Sequence, residues 1–114
     1  MLAKLQIKRP TPGLDEGKAT ELADIFRLLS DSTRLRIVLS CMGEPVCVGD
    51  IADQLGLSSS LVSHHFRLLR AGRLVRAKRQ GKQVFYSVAD EQIRCVLDDM
   101  VDHVLQPLDD SESA

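Results

Sequence analysis

The 114-residue chain has no run approaching the ~18 uninterrupted apolar residues that a membrane span requires, so nothing in it is expected to cross a bilayer. Its first fourteen residues carry scattered Lys and Arg but lack an apolar core followed by a small-residue cleavage site. That excludes a secretory signal and sets the cytoplasm as the expected compartment. The three cysteines, Cys41, Cys47 and Cys95, are odd in number and have no C-x-x-C spacing, which argues against a zinc ribbon and a disulfide framework. No glycine-rich phosphate loop is present. The absence with the largest consequence is of one charge: from residue 54 to residue 89 there is no Asp or Glu.

That acid-free block holds seven cations, Arg67, Arg70, Arg73, Arg76, Lys78, Arg79 and Lys82, together with His64 and His65. Soluble surfaces normally intersperse both signs, so a block this one-sided reads as a surface for a polyanion rather than as an ordinary solvated face. The compensating charge lies downstream. Residues 90–114 carry eight acids against the single base Arg94, and the net charge of −1 conceals this separation.

A chain of this length forms one domain and buries only roughly two-thirds of its unfolded surface, so a second copy would add useful burial and a homodimer is expected. Apolar content of 44% with 27% charge places it among globular proteins. The expected organisation is a flexible N-terminal arm over 1–15, marked by Pro10, Pro12 and Gly13, a folded domain over 16–107, and an acidic C-terminal tail over 108–114.

Within the domain, Ala19, Leu22, Ala23, Phe26 and Leu29 recur at helical spacing and predict a first helix with one buried stripe. Ser30 or Asp31 can cap a second helix running through Leu35, Val38, Leu39 and Met42 until Gly43 and Pro45 stop it. Val46-Cys47-Val48 reads as a brief strand or extended link, and Gly49 to Leu55 as a two-turn helix ending at Gly56. Ser58 then caps another helix, Leu61 to Ala71, so that Gly56-Leu57-Ser58 forms the turn of a helix-turn-helix.

On that last helix Leu61, Val62, Phe66, Leu68 and Leu69 share one side, and Ser60, Ser63, His64, Arg67 and Arg70 share the other. The wheel separates the two histidines: His64 lies among the polar residues, His65 in the apolar arc, where a packed and hydrogen-bonded role is expected. Two β-rich runs, Leu74–Lys78 and Gln83–Val88, meet around Gln80-Gly81 and predict a hairpin. Arg79 and Lys82 flank its tip, while Arg76 and Lys78 share one strand face. A helix-turn-helix followed by a basic wing is a layout for duplex DNA, with base contacts from the helix and backbone contacts from the wing. The candidate DNA-binding residues are Ser59, Ser60, Ser63, His64, Arg67, Arg70, Lys78, Arg79, Gln80 and Lys82.

A final helix is expected from about Asp90 to Gln106, before Pro107. Ile93, Val96, Leu97, Met100, Val101 and Val104 form an apolar stripe, most simply the dimer seam with the first helix. Gln92, Cys95, Asp99, His103 and Gln106 lie within about 80° of one another on another side. That row is either the wet face of an amphipathic helix or the wall of a metal site between subunits. Cys95 is either a small half-buried apolar residue or a thiol sensor or soft ligand, and Cys41 is expected to be structural.

From about Leu22 to His103 the chain resembles the ArsR/SmtB repressors, winged-helix dimers of bacteria that leave their operators on binding metals or other stress signals. The resemblance is carried by Leu28-Leu29-Ser30-Asp31-Ser32-Thr33-Arg34-Leu35-Arg36-Ile37, Cys47-Val48-Gly49-Asp50, Val62-Ser63-His64-His65, Leu74-Val75-Arg76-Ala77-Lys78-Arg79-Gln80-Gly81 and the segment from Tyr86 to Asp90. The wing and the Ser63-His64 pair look most like the branch that senses zinc, cobalt or nickel. In that branch the resemblance implies ligands on the C-terminal helix in the pattern D-x-H-x10-H-x2-[E/H], two from each subunit. Here the register reads Asp90, Gln92, His103 and Gln106. Asp90 and His103 match, and two amides stand where zinc would want imidazole or carboxylate. The arsenic and cadmium branches resemble C-V-C-D, and Cys47-Val48-Gly49-Asp50 lacks the second thiol.

The expected fold is therefore mainly helical with a β-hairpin wing, a winged helix-turn-helix in a homodimer. The expected function is a repressor that binds double-stranded DNA at an inverted-repeat operator and is released by a metal ion such as zinc, nickel or cobalt, or by another stress signal. The alternative is a thiol-responsive or effector-independent regulator of the same type with a degenerate metal site. An enzyme is disfavoured, since Ser63 and His64 are adjacent on a helix and project about 100° apart, which cannot pair a nucleophile with its base.

Overall fold

The computed structural model describes residues 12–108. Most of the expected N-terminal arm and nearly all of the acidic tail lie outside the described residues. Among the described residues five helices and three strands follow in the order α1 (Glu16–Leu29), α2 (Ser32–Leu39), β1 (Val46–Cys47), α3 (Val48–Leu55), α4 (Ser59–Ala71), β2 (Val75–Gln80), β3 (Gln83–Val88) and α5 (Glu91–Leu105).

Side-chain caps set most of the helix starts. Asp15, Asp31, Ser58 and Asp90 each stand in extended backbone and accept a bond from the amide three residues on, at 2.8, 2.8, 3.1 and 2.9 Å respectively. Of the two candidates for the second helix, Asp31 is the cap, and Ser30 instead closes α1. That helix stops at Leu39 rather than reaching Met42: the amides of Cys41 and Met42 bond three residues back, to Val38 and Leu39, and tighten the chain out of the α register. Gly56 takes the left-handed conformation (φ 69°, ψ 37°) that ends α3 and opens the turn into α4. α4 begins at Ser59, one residue after its cap and two earlier than the apolar periodicity suggested.

The sheet has strand order β1-β3-β2, all antiparallel, with Val46 opposite Tyr86 and Val75 opposite Val88. Gln80 pairs with Gln83 across a two-residue connection in which Gly81 has φ 65°, so the wing closes on Gly81-Lys82. Register divides the hairpin into two faces. Val75, Ala77 and Arg79 lie with Val88, Tyr86 and Val84 on the side of α4; Arg76, Lys78 and Gln80 lie with Ser87, Phe85 and Gln83 on the other.

The core sits where α2, α3, α4 and the sheet meet. Ile37, Val38, Cys41, Ile51, Val62, Phe66, Leu69 and Leu74 have no accessible surface. Leu61, expected on the packed arc of α4, is 40% exposed. The stripe expected to bury α1 is not buried within one chain: Leu22 and Phe26 are 45% and 60% exposed, and no residue of α1 is buried. α5 behaves the same way, with Leu97 alone buried while Val96, Met100 and Val104 stand out.

Candidate nucleic-acid interface

The polar side of α4 is solvent-facing along its length. Ser59, Ser60, His64, Arg67 and Arg70 are exposed and Ser63 is half-buried. The first turn of α4 contains no acid, so its unpaired amides and the positive end of its dipole add to the attraction for an anion. On the hairpin Lys78, Arg79, Gln80 and Lys82 are all exposed. Lys78 and Arg79 leave the sheet on opposite faces, Arg79 on the α4 side.

The helix and wing are joined by an aromatic stack that sequence reasoning missed. Tyr86, on the central strand, lies against Phe66 with ring centroids 4.0 Å apart and planes at 8°. Strand alternation with buried Val88 would have placed Tyr86 on the α4 side; its partner was not readable. Beside the stack, Ser63, Arg67, Arg70, Ala71 and Tyr86 line an open cleft of about 500 Å³. Among the described residues no carboxylate pairs with Arg67, Arg70, Arg76, Lys78, Arg79 or Lys82; the ion pairs fall elsewhere. Arg73 departs from the block, since its guanidinium meets Glu21 of α1 at 3.6 Å.

His65 has the internal role expected of it. It is 7% exposed, and its Nδ1 accepts from Arg34 Nε at 3.2 Å, while Arg34 Nη1 donates to the Leu28 carbonyl at 3.0 Å. Burial, then the adjacent guanidinium, lowers the His65 pKa, so the ring is held neutral.

A matching family model covers residues 31–77, that of the bacterial regulatory protein, arsR family. A transcriptional repressor SmtB homolog from Synechocystis is 35% identical over 99 residues, spanning 87% of this chain and 74% of that protein. This chain belongs to the ArsR family. A cadmium resistance regulatory protein CadC homolog from Staphylococcus aureus is 36% identical across 78% of this chain and 74% of its own length. Among solved structures, the homodimeric winged helix-turn-helix DNA-binding domain of a possible ArsR-family regulator from Mycobacterium bovis matches with a TM-score of 0.69. It covers 84% of this chain and 94% of that one at 24% identity, which shows the shared fold. The protein is thus a winged-helix, DNA-binding transcriptional regulator, and not an enzyme.

The ArsR-type positions on α5 are dispersed. Asp90 is the N-cap, its Oδ1 holding the Ile93 amide at 2.9 Å, and His103 lies in the last turn. Thirteen residues of helix separate them by about 20 Å, so one ion could take both only from different protomers. Gln92 is exposed in the first turn, and Gln106 follows the helix in extended backbone. One carboxylate, one imidazole and two amides do not make the tetrahedral set that zinc takes. Among the described residues of one chain no three His, Cys, Asp or Glu side chains converge as metal ligands.

The cysteines divide by environment. Cys41 is fully buried, donates to the Ile37 carbonyl at 3.4 Å, and burial pushes its pKa up to about 12, which keeps it an unreactive thiol. Cys47 is buried beneath the helix-turn-helix entry. Cys95 is exposed on α5, not the half-buried packing residue that the helix pattern allowed.

Proposed function

We propose that the protein is a homodimeric repressor that places two copies of α4 in successive major grooves of an inverted repeat, with each wing on the adjoining backbone. The observation that carries this reading is the exposed polar face of α4, continuous through the Tyr86 cleft with a hairpin whose cations have no carboxylate partner among the described residues. Ser59, Ser60 and His64 read base edges; Ser63, Arg67, Arg70, Lys78, Arg79, Gln80 and Lys82 hold phosphates.

The second copy covers the apolar surface that one chain leaves open. Leu22 and Phe26 of α1 and Val96, Met100, Val104 and Leu105 of α5 are between 45% and 75% exposed, more than scattered surface residues explain. Leu35, Leu39, Leu97, Met100, Val101, Val104 and Leu105 also line a nearly all-apolar groove of about 250 Å³.

For release from DNA, the donor set on α5 argues for a degenerate family site. Asp90 and His103 remain, without two further ligands, and the effector is a softer metal ion or another stress signal rather than zinc held by four groups. Cys95 is the exposed thiol on that helix, whereas Cys41 is fully buried. The test is operator binding followed by fluorescence anisotropy while zinc, nickel, cobalt, copper(I), arsenite or a mild oxidant is added. Steep salt dependence with preference for an inverted repeat supports the DNA reading, and equal affinity for every duplex defeats it.

A further inference from the structure

We propose that Tyr86 is a DNA-contacting residue, and that the cleft between α4 and the wing is a built seat for one backbone phosphate of the duplex. The inference rests on the DNA-binding reading above and names a contact within it. Three residues of α4, Ser63, Arg67 and Arg70, recur at i, i+4 and i+7 and so form one stripe along the helix. Tyr86 faces that stripe from the central strand, and the four side chains with Ala71 line the open cleft of about 500 Å³. Two guanidiniums and two hydroxyls are a donor set for a tetrahedral oxyanion, and no acid lies anywhere in the surrounding block from 54 to 89.

Tyr86 is suited to the contact because its position is determined twice. Its backbone is paired on both sides, to Val46 of β1 and to Ala77 of β2, and its ring lies flat on Phe66, which has no accessible surface. A phenol held this way delivers its hydroxyl with little ordering cost, whereas an arginine on a free helix face must be ordered on binding. The same stack fixes the wing relative to the recognition helix, so a phosphate seated here sets how deeply α4 enters the groove. The contact is to the sugar-phosphate backbone and carries no base information of its own.

The experiment uses full-length protein and two duplexes, one an inverted-repeat operator and one unrelated, with Tyr86→Phe as the main variant because it keeps the ring stack and removes only the hydroxyl. Affinity should fall about 10-fold on both duplexes alike, with the salt slope unchanged because no charge is lost. Arg67→Gln and Arg70→Gln should each weaken both duplexes and lower the slope by about one. A scan with single neutral methylphosphonates then identifies the seat. Wild type should be sensitive at one phosphate per half-site, and that sensitivity should shrink in Tyr86→Phe. If Tyr86→Phe does not fold, the same scan on Arg70→Gln reads the seat through its other wall. Tyr86→Phe binding as tightly as wild type overturns the proposal, as does an undiminished methylphosphonate penalty at every position. Failure of the wild type to bind any duplex would instead remove the DNA-binding reading on which it rests.

Discussion

Arg34 Nε donates to His65 Nδ1 at 3.2 Å, tying the start of α2 to the inner face of the recognition helix. The other end of the Arg34 guanidinium holds the last turn of α1 through the Leu28 carbonyl. One side chain thus fixes three helices, and it needs His65 neutral, because a protonated ring would turn the Nδ1 acceptor into a second donor facing a permanent cation.

This bond makes stability depend on pH. Burial first and Arg34 second lower the His65 pKa in the folded protein below the unfolded value of about 6.5. The unfolded chain then binds more protons across that interval, so the contribution is fully present above about pH 6.5 and is lost as pH falls toward the folded pKa. His65→Leu should cost about 1–3 kcal/mol at pH 7.5, and the gap to wild type should narrow at pH 5.5. Urea unfolding at both pH values measures it, and an unchanged gap would disprove the linkage.

Base readout should be separable from backbone contact. Ser60→Ala and His64→Ala are expected to weaken inverted-repeat binding by about 1–3 kcal/mol each while affecting random DNA less. Arg79→Ala and Lys82→Ala should weaken all duplexes similarly and lower the salt slope by about one unit each. Equal losses on random DNA for the α4 variants would exclude base recognition by Ser60 and His64, and an unchanged slope would take the wing off the DNA.

Assembly can be tested at Met100, which is 55% exposed within one chain. Met100→Glu would bury an unpaired charge in the proposed seam, a change that costs several kcal/mol. Sedimentation should show a monomer, and operator affinity should collapse because half-site spacing depends on the dimer. A variant that remains dimeric would place the seam elsewhere.

At the α5 site, zinc should not release the operator at concentrations that act on a four-ligand sensor, and His103→Ala should leave DNA affinity unchanged. Gln92→His with Gln106→His should create zinc-dependent release, provided the dimer presents the two ends of α5 to each other. Competition against a chromogenic chelator reads the affinity directly. Tight zinc binding and full release by the unaltered protein would refute the degenerate site.

At the end of α4, Gly72 is a packing position as well as a helix stop. A Cβ there would lie 2.4 Å from Leu28 Cδ1, the free end of a half-buried side chain, so Gly72→Ala should make Leu28 change rotamer and lower stability by less than about 1 kcal/mol, measurable as a small fall in melting temperature.

Much of the scaffold is local chemistry and was legible in the sequence. Asp31, Ser58 and Asp90 satisfy amides three residues away, Gly56 and Gly81 take positive φ where the chain turns, and the acid-free block needs only counting. These features depend on neighbours within a few residues, and periodicity correctly set His65 apart from His64 for the same reason. What required the tertiary structure was every relation across long separations: the Phe66–Tyr86 stack, the Arg34–His65 bond, the diversion of Arg73 to Glu21, and the depth of Cys41 against the exposure of Cys95. Apolar spacing showed that α1 and α5 each carry a stripe but not what covers it, because a helical period records which residues share a face and not whether that face meets its own chain or another. Packing distributes burial among elements far apart in the chain, and only the folded molecule shows that α4 and the sheet fill the core while α1 and α5 keep theirs exposed.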